Sequence, residues 1–292
     1  MAGFPFFGNY NKPGPGVSKD EPQKAAFFRF FQLYFRKFMN LIQLNLLFLV
    51  PAVVVGFLIY LFGRLTAQPF LVNLPVILLS PFWAGMTFVT RNYAREEHAF
   101  LFSDFKDAVL ANWKQFSVNG VVCYAAFSLI SFCLSFYYSM SHKNVLFTVA
   151  FGISVAIMMV FLFSQYYVPL MIVTFDLKLK QLYKNALIFA IVGLWRNILL
   201  TVIFAVLVFL HYFLYLLASP LTLLINGLFL ALFTFSFVSF LINFAIYPLI
   251  EKMMIRPYQE KTADQSEPQE GAHPGSGDSA DGDGDGTVFK DR

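Results

Sequence analysis

The sequence predicts an all-α fold: a polytopic membrane bundle of about six transmembrane helices, with amphipathic helices at the membrane surface and an internal parallel repeat. Three observations carry the prediction. Hydrophobic residues make up 58% of the chain, against roughly 45–50% in soluble domains. Charged residues fall to 13%, about half the usual share of roughly 25%. The apolar residues, 38 Phe among them, gather in runs of about 20, the length that crosses a hydrocarbon layer ~30 Å thick. A soluble core has no use for several such runs, whereas a helix in lipid satisfies its own backbone.

The elements follow in chain order. Residues 1–25 are rich in Gly, Pro and polar residues (Pro13-Gly14-Pro15-Gly16) and lack the short apolar core and small-residue cleavage site of a secretory signal. They are expected to be a cytoplasmic segment. In residues 26–40, at ~100° per residue, Arg29, Gln32, Arg36 and Asn40 share a face with Lys37 at its edge. Phe27, Phe30, Phe31, Tyr34, Phe35 and Phe38 fill the opposite face. This pattern predicts an interfacial helix whose cations Arg29, Arg36 and Lys37 are offered to anionic head groups. A basic extension of the first spanning helix is the equal alternative.

Six spans complete a membrane domain of residues 26–258, at 41–62, 69–90, 116–138, 144–169, 198–217 and 221–248. Pro51 lies in the first, Pro75 and Pro81 in the second, and Pro169 near the end of the fourth. Each removes a backbone donor and is expected to bend its helix. Residues 259–292 turn to Gly, Asp, Glu, Ser and Pro, and predict a disordered acidic cytoplasmic tail.

Charge orients the bundle. Apart from Arg64 and Lys143, every Lys and Arg falls on one side of the predicted spans, which the positive-inside rule makes cytoplasmic, together with both termini. Trp113 and Trp195 mark the inner boundary, and Tyr60, Tyr137, Tyr138, Tyr212 and Tyr215 the outer one. The net charge of +4 therefore reads as topology, and no nucleic-acid partner is implied.

Two cytoplasmic stretches resemble each other. Pro81…Met86-Thr87-Phe88-Val89-Thr90, Phe105-Lys106-Asp107-Ala108 and Trp113-Lys114-Gln115-Phe116 precede span three. Pro169-Leu170-Met171-Ile172-Val173-Thr174-Phe175, Tyr183-Lys184-Asn185-Ala186 and Trp195-Arg196-Asn197-Ile198 precede span five. Both run span, amphipathic helix, Trp-cation junction, span, which makes the repeat parallel.

Chemistry is sparse. Acidic residues, Lys and Arg are absent from the predicted spans, and His211, near the outer end of span five, is expected to be hydrogen-bonded there. Cys123 and Cys133 share one helix ten residues or ~15 Å apart, beyond the ~7 Å a disulfide allows. Ser103-Asp104-Phe105-Lys106 fits the Ser-x-x-Lys of certain acyl enzymes but reads better as a Ser103 N-cap with an acidic first turn. Asp281-x-Asp283-x-Asp285-Gly286 opens a calcium loop, but its closing position is Arg292 rather than a carboxylate. No phosphate loop, paired-His helix or Gly-x-Ser-x-Gly elbow is present. The expectation is a protein that is not an enzyme, with no catalytic residue, cofactor or metal. Ser131, Ser135 and Ser139, and Ser236, Ser239, Asn243 and Tyr247, form polar stripes that predict helix contact seams or a cavity lining.

The run Phe6-Phe7-Gly8-Asn9-Tyr10-Asn11-Lys12-Pro13-Gly14-Pro15-Gly16-Val17, the Phe-rich Arg29–Lys37 helix and Leu44-Asn45-Leu46-Leu47 add a further signal. Over residues 4–220 the chain resembles the YesL-like family of bacterial integral membrane proteins. The resemblance implies a Gram-positive cell membrane and association with carbohydrate-uptake loci. The family's biochemical function is unknown, so it brings no site residues, and the acidic tail departs from it. The expected function is a non-enzymatic membrane accessory protein, assisting carbohydrate uptake or sensing through a cytoplasmic docking surface. Lys106, Lys114, Lys184 and Arg196 would form that surface, with Trp113 and Trp195 as interfacial anchors. The expected partners are the lipid bilayer and a protein of a sugar-uptake system. The alternative is a permease-like subunit working with a cytoplasmic ATPase, although Glu97-His98-Ala99 is only a faint echo of a Glu-Ala-Ala coupling motif.

Overall fold

A computed structural model describes residues 25–259. The N-terminal segment to residue 24 and the tail from residue 260 lie outside the described residues. Among the described residues six helical stretches are long and apolar enough to cross a membrane: Phe38–Leu65, Pro69–Ala94, Leu101–Met140, Val145–Thr174, Leu194–Leu216 and Pro220–Gln259. Their outer surfaces carry exposed Val50, Phe57, Phe132, Ile157, Val206 and Leu224, as a lipid-facing bundle requires.

The chain breaks at Lys37 into α1 (Ala26–Arg36) and α2 (Phe38–Leu65). The surface helix is therefore shorter than the 26–40 expected, and Phe38 and Asn40 begin the first span. Its aromatic face is divided. Phe30, Leu33 and Tyr34, spaced as i, i+3 and i+4, are buried. Phe30 and Tyr34 pack against Phe237 and Phe240 of the last span. Phe27, Phe28, Phe31 and Phe35 stay exposed, which leaves them for the acyl boundary.

The second span is discontinuous: α3 (Pro69–Val72), a 3-10 stretch (Leu74–Leu79), then α4 (Ser80–Ala94). Pro75 and Pro81 do not bend a helix interior, as expected, but sit in the first turns of the 3-10 stretch and of α4. There a missing N–H costs nothing. Pro51 and Pro169 do lie inside α2 and α6.

A larger correction concerns α5 (Leu101–Met140), a single 40-residue helix that joins the expected amphipathic helix to span three without a junction. It lies close against α4. A Cβ on Gly85 would strike the ring and carbonyl of Phe105, and one on Gly120 would strike Ser80. Glycine at both positions lets the backbones approach, the usual means of packing helices in lipid.

Helix α6 (Val145–Thr174) runs past its expected end and, after a short extended link, α7 (Leu179–Val192) and α8 (Leu194–Leu216) follow. Here the chain does break, at Gly193, so the two halves of the sequence repeat differ in construction. The last span is α9 (Pro220–Phe229), a π-turn (Leu230–Thr234), α10 (Phe235–Ile250) and a second π-turn (Glu251–Ile255). The core lies where α4, the end of α6 and α10 meet: Met86, Val89, Tyr93, Tyr167, Met171, Ile172, Phe240 and Ile246 are all buried.

Candidate functional site

Polar side chains run through that core. On α10, Ser236, Ser239 and Asn243 are buried, as the stripe in the sequence predicts; Ser239 and Asn243 meet Thr87 and Thr90 of α4, and Ser236 meets Asn45 of α2. The Asn243 amide donates to the Thr87 carbonyl (3.0 Å) and to Thr90 Oγ1 (2.7 Å). Thr90 Oγ1 also meets Ser239 Oγ at 2.7 Å and donates to the Met86 carbonyl at 2.7 Å. Between α4, α6 and α10 lies a cavity of about 20 Å³ bounded by Trp83, Thr87, Gln165, Tyr166, Pro169, Ser239, Ile242 and Asn243. By contrast, Ser131, Ser135 and Ser139 of α5 are exposed and form no seam.

One turn below Thr87 sits Arg91, which is 2% exposed. Charge counting treats it as a loop cation. The fold buries it at the end of α4, where its guanidinium donates to the Val173 carbonyl (3.0 Å), Thr174 Oγ1 (3.3 Å) and Asn92 Oδ1 (3.1 Å). It also lies 4.6 Å from the Phe88 ring centroid. A buried cation is tolerated only when hydrogen-bonded in this way. Arg91 thus ties the end of α4 to the end of α6.

The π-turn of the last span is held from outside. A π-turn leaves carbonyls without their ordinary i+4 donors. Asn45 of α2 donates to the Leu230 (3.0 Å) and Ala231 (2.6 Å) carbonyls and accepts from the Ser236 backbone N–H (2.9 Å). His211 is hydrogen-bonded, as expected, spanning Asn226 Oδ1 (2.6 Å) and Thr234 Oγ1 (2.9 Å).

A third cluster joins α5, α6 and α7. Cys123 donates to Gln165 Oε1 (3.0 Å), Tyr183 to Asn119 Oδ1, and Gln115 to the Leu177 carbonyl (3.2 Å). Cys123 and Cys133 are both free thiols. In the sequence, Asn45 and Thr87 stand only within longer motifs, Arg91 only as a charge, and Gln165 is given no role. The available signal was a lone Asn or Gln inside an apolar span, where such groups need partners.

The residues expected to form the docking surface lie at the end of the bundle shared by α1, the α4–α5 and α6–α7 connections and the end of α10, here called the basic end. Lys106, Lys114, Lys184 and Arg196 are all exposed. Lys114 lies 5.7 Å from the Trp113 ring centroid, and Arg196 reaches the Ala245 carbonyl at 3.4 Å. Trp113 is exposed and Trp195 is 82% exposed, which suits head-group anchors. Lys106 and Lys184 are not brought side by side. Tyr183, beside Lys184, meets α5 at Asn119, about 20 Å along the helix from Lys106.

The expected anchors of α1 also make contacts within the chain. Arg29 and Arg36, both still well exposed, pair with Glu96 at 3.1 and 2.9 Å, while Lys37 lies 5.1 Å from the Tyr93 ring centroid. Glu96 has φ 63°, the left-handed turn that ends α4 and aims its carboxylate at both arginines. The hydrogen bond from Arg36 leads the causes that hold this carboxyl below its usual range, with Arg29 adding to it and partial burial opposing. At the start of α5, Phe100 rather than Ser103 takes the cap position, and the expected acidic first turn is Asp104, which accepts from the Phe100 N–H at 2.8 Å.

Among the described residues no group of three or more His, Cys, Asp or Glu is placed to hold a metal ion. The arrangement offers helix-to-helix hydrogen bonding inside and exposed cations beside apolar side chains at the basic end. No curated protein and no solved structure matches the chain. Residues 41–133, from α2 to within α5, match DUF624, a family of proteins of unknown function.

Proposed function

We propose that this is a non-enzymatic accessory protein of a bacterial cell membrane, multi-pass with both termini in the cytoplasm. Its cytoplasmic end docks a protein of a carbohydrate-uptake or sensing system. One observation carries the reading: the cations of the basic end fall into two classes. Arg29, Arg36, Arg95 and Arg256 are held in ion pairs, and Arg91 is buried. Lys106, Lys114 and Lys184 instead stand exposed with no carboxylate partner among the described residues. They are flanked by exposed Phe102, Leu110 and Trp113 on α5 and by exposed Leu187 and Ile188 on α7. Apolar anchors rimmed by free cations are what a protein interface uses. The carbohydrate part rests on the YesL-like resemblance, and YesL-like proteins are a DUF624 family. Purification in mild detergent with mass spectrometry of co-purifying proteins tests the reading. A partner recovered with the wild type should be lost from the K106E/K184E double variant while that variant stays monodisperse. Unchanged recovery would refute docking and leave α5 and α7 as lipid-facing elements.

The alternative, a transport subunit coupled to a cytoplasmic ATPase, has its own support. Two spans that meet at the polar seam are interrupted, by the 3-10 stretch before α4 and the π-turn before α10, and the third, α6, carries Pro169 inside it. Broken helices mark the binding sites of many transporters. Recovery of an ATPase in stoichiometric amount would favour this reading over the accessory one.

A further inference from the structure

We infer that the cavity between α4, α6 and α10 is a built site for one buried water molecule, which bridges Asn243 to the proline-freed carbonyl of Gln165. The first observation is an orphan. Asn243 is 1% exposed, borders the cavity, and its Oδ1 has no hydrogen-bond partner. Its orientation is set, because both amide protons are used on the Thr87 carbonyl and Thr90 Oγ1; flipping the amide would set oxygen against oxygen. Leaving a buried acceptor unmet carries its desolvation penalty, so a site that kept it would keep it filled.

The second observation is independent. Pro169 also borders the cavity and lies inside α6. It has no N–H for the carbonyl four residues earlier, that of Gln165, another residue of the same wall. The proline thus frees a second acceptor on a residue of the same small space.

The remaining polar groups decide what can enter. Thr87 Oγ1 spends its proton on the Trp83 carbonyl at 2.8 Å. With Thr90 donating to Met86, Ser239 donates to Thr90 and turns only lone pairs toward the space. The walls therefore set these acceptors beside residues that carry donors, Trp83 and Gln165, and the guest must both donate and accept with about one heavy atom. The volume of about 20 Å³ exceeds the ~10–15 Å³ that one water needs. A bare cation is the competing guest, since it also seeks oxygen lone pairs. It is disfavoured because no carboxylate borders the cavity and because Arg91, a buried cation, follows Thr87 on α4 by one helical turn and would repel it. A neutral donor meets no such repulsion.

The test uses the full chain in lipid nanodiscs, bound to a rigid antibody fragment and imaged near 2 Å, about the resolution at which single waters appear as separate peaks. The expected result is one peak about 2.7–3.2 Å from Asn243 Oδ1, equally strong in sodium chloride and in caesium chloride. Melting temperatures in lithium, sodium, potassium and choline chlorides at one ionic strength should coincide. Pro169→Ala, which returns an N–H to the Gln165 carbonyl, should weaken or abolish the peak in a protein that stays monodisperse. If that variant fails to fold, the two wild-type maps still decide. An empty cavity would overturn the inference. So would a peak that strengthens in caesium, or a melting temperature raised by one ion alone, either of which would identify a cation.

Discussion

Arg91 shows how a single residue changes role between sequence and structure. As a letter near the end of an apolar run it is one more inner-side cation. In the fold it is buried, and three of its acceptors, the Val173 carbonyl, Thr174 Oγ1 and Asn92 Oδ1, depend on it. Arg91→Leu should therefore lower the stability of the detergent-solubilised protein by about 1–3 kcal/mol for each acceptor left dry. Arg91→Lys should lie between the two, because an ammonium cannot reproduce the planar fork of donors. Thermal unfolding checks both, and a wild-type melting temperature for Arg91→Leu would show that Arg91 is solvated rather than buried. Asn45 makes a second case. Asn45→Leu keeps the volume but strands two π-turn carbonyls and the Ser236 N–H, so a loss of about 1–3 kcal/mol is expected. Ser131→Ala, on the exposed stripe of α5, should stay within about ±0.5 kcal/mol. Equal effects for Asn45 and Ser131 would contradict the capping role.

At the scale of elements, the latch between α1 and the α4–α5 turn is the part most open to conditions. Arg29 and Arg36 both close on Glu96, whose carboxyl is held below its ordinary range chiefly by the Arg36 hydrogen bond. A carboxylate with a lowered folded-state value contributes its stability above the ordinary Glu range. That contribution is lost as pH falls through the lowered value. The pairs are more than a third exposed, so each is worth at most about 1 kcal/mol and weakens with salt. A spin label at Phe27 should be immobile at neutral pH, loosen on acidification, and be loose already at neutral pH in Glu96→Gln. A label equally immobile in both proteins would mean that packing on Phe237 and Phe240 alone holds α1. The sequence shows α1 as an amphipathic helix because its period is local. It does not show where the cations go, since Glu96 lies 60 residues or more away. The same contrast runs through the spans. Their existence follows from apolar length, but the continuity of α5 through Trp113 and the break at Gly193 depend on tertiary packing. So does the pairing of the Ser239-Asn243 stripe with Thr87 and Thr90. One face of that seam is legible as a period, while the partner face is two threonines that no local pattern distinguishes.

For the whole molecule, the six stretches able to cross a membrane and the contacts between their ends agree on sidedness. Glu96 holds α1 against the α4–α5 turn, Arg91 binds the end of α6, and Arg95 lies 5.2 Å from the ring centroid of Tyr247 near the end of α10. These four places therefore share one face of the membrane whatever the bundle's orientation. Arg64, at the end of α2, and Lys143, between α5 and α6, are left at the opposite end. With the remaining cations concentrated at the first face, that face is the cytoplasmic one in the orientation proposed from the positive-inside rule. Reporter fusions active only in the cytoplasm should then work after Glu97 and after Lys180 and fail at Arg64 and Lys143. The contacts make the four results interdependent. Reversal of all four would invert the protein and remove the proposed docking face from the cytoplasm, yet leave the fold intact. Activity at Lys143 alone would instead mean that α5 or α6 does not cross. That result cannot be reconciled with a Cys123–Gln165 contact inside the bundle, so it would overturn the six-span architecture itself.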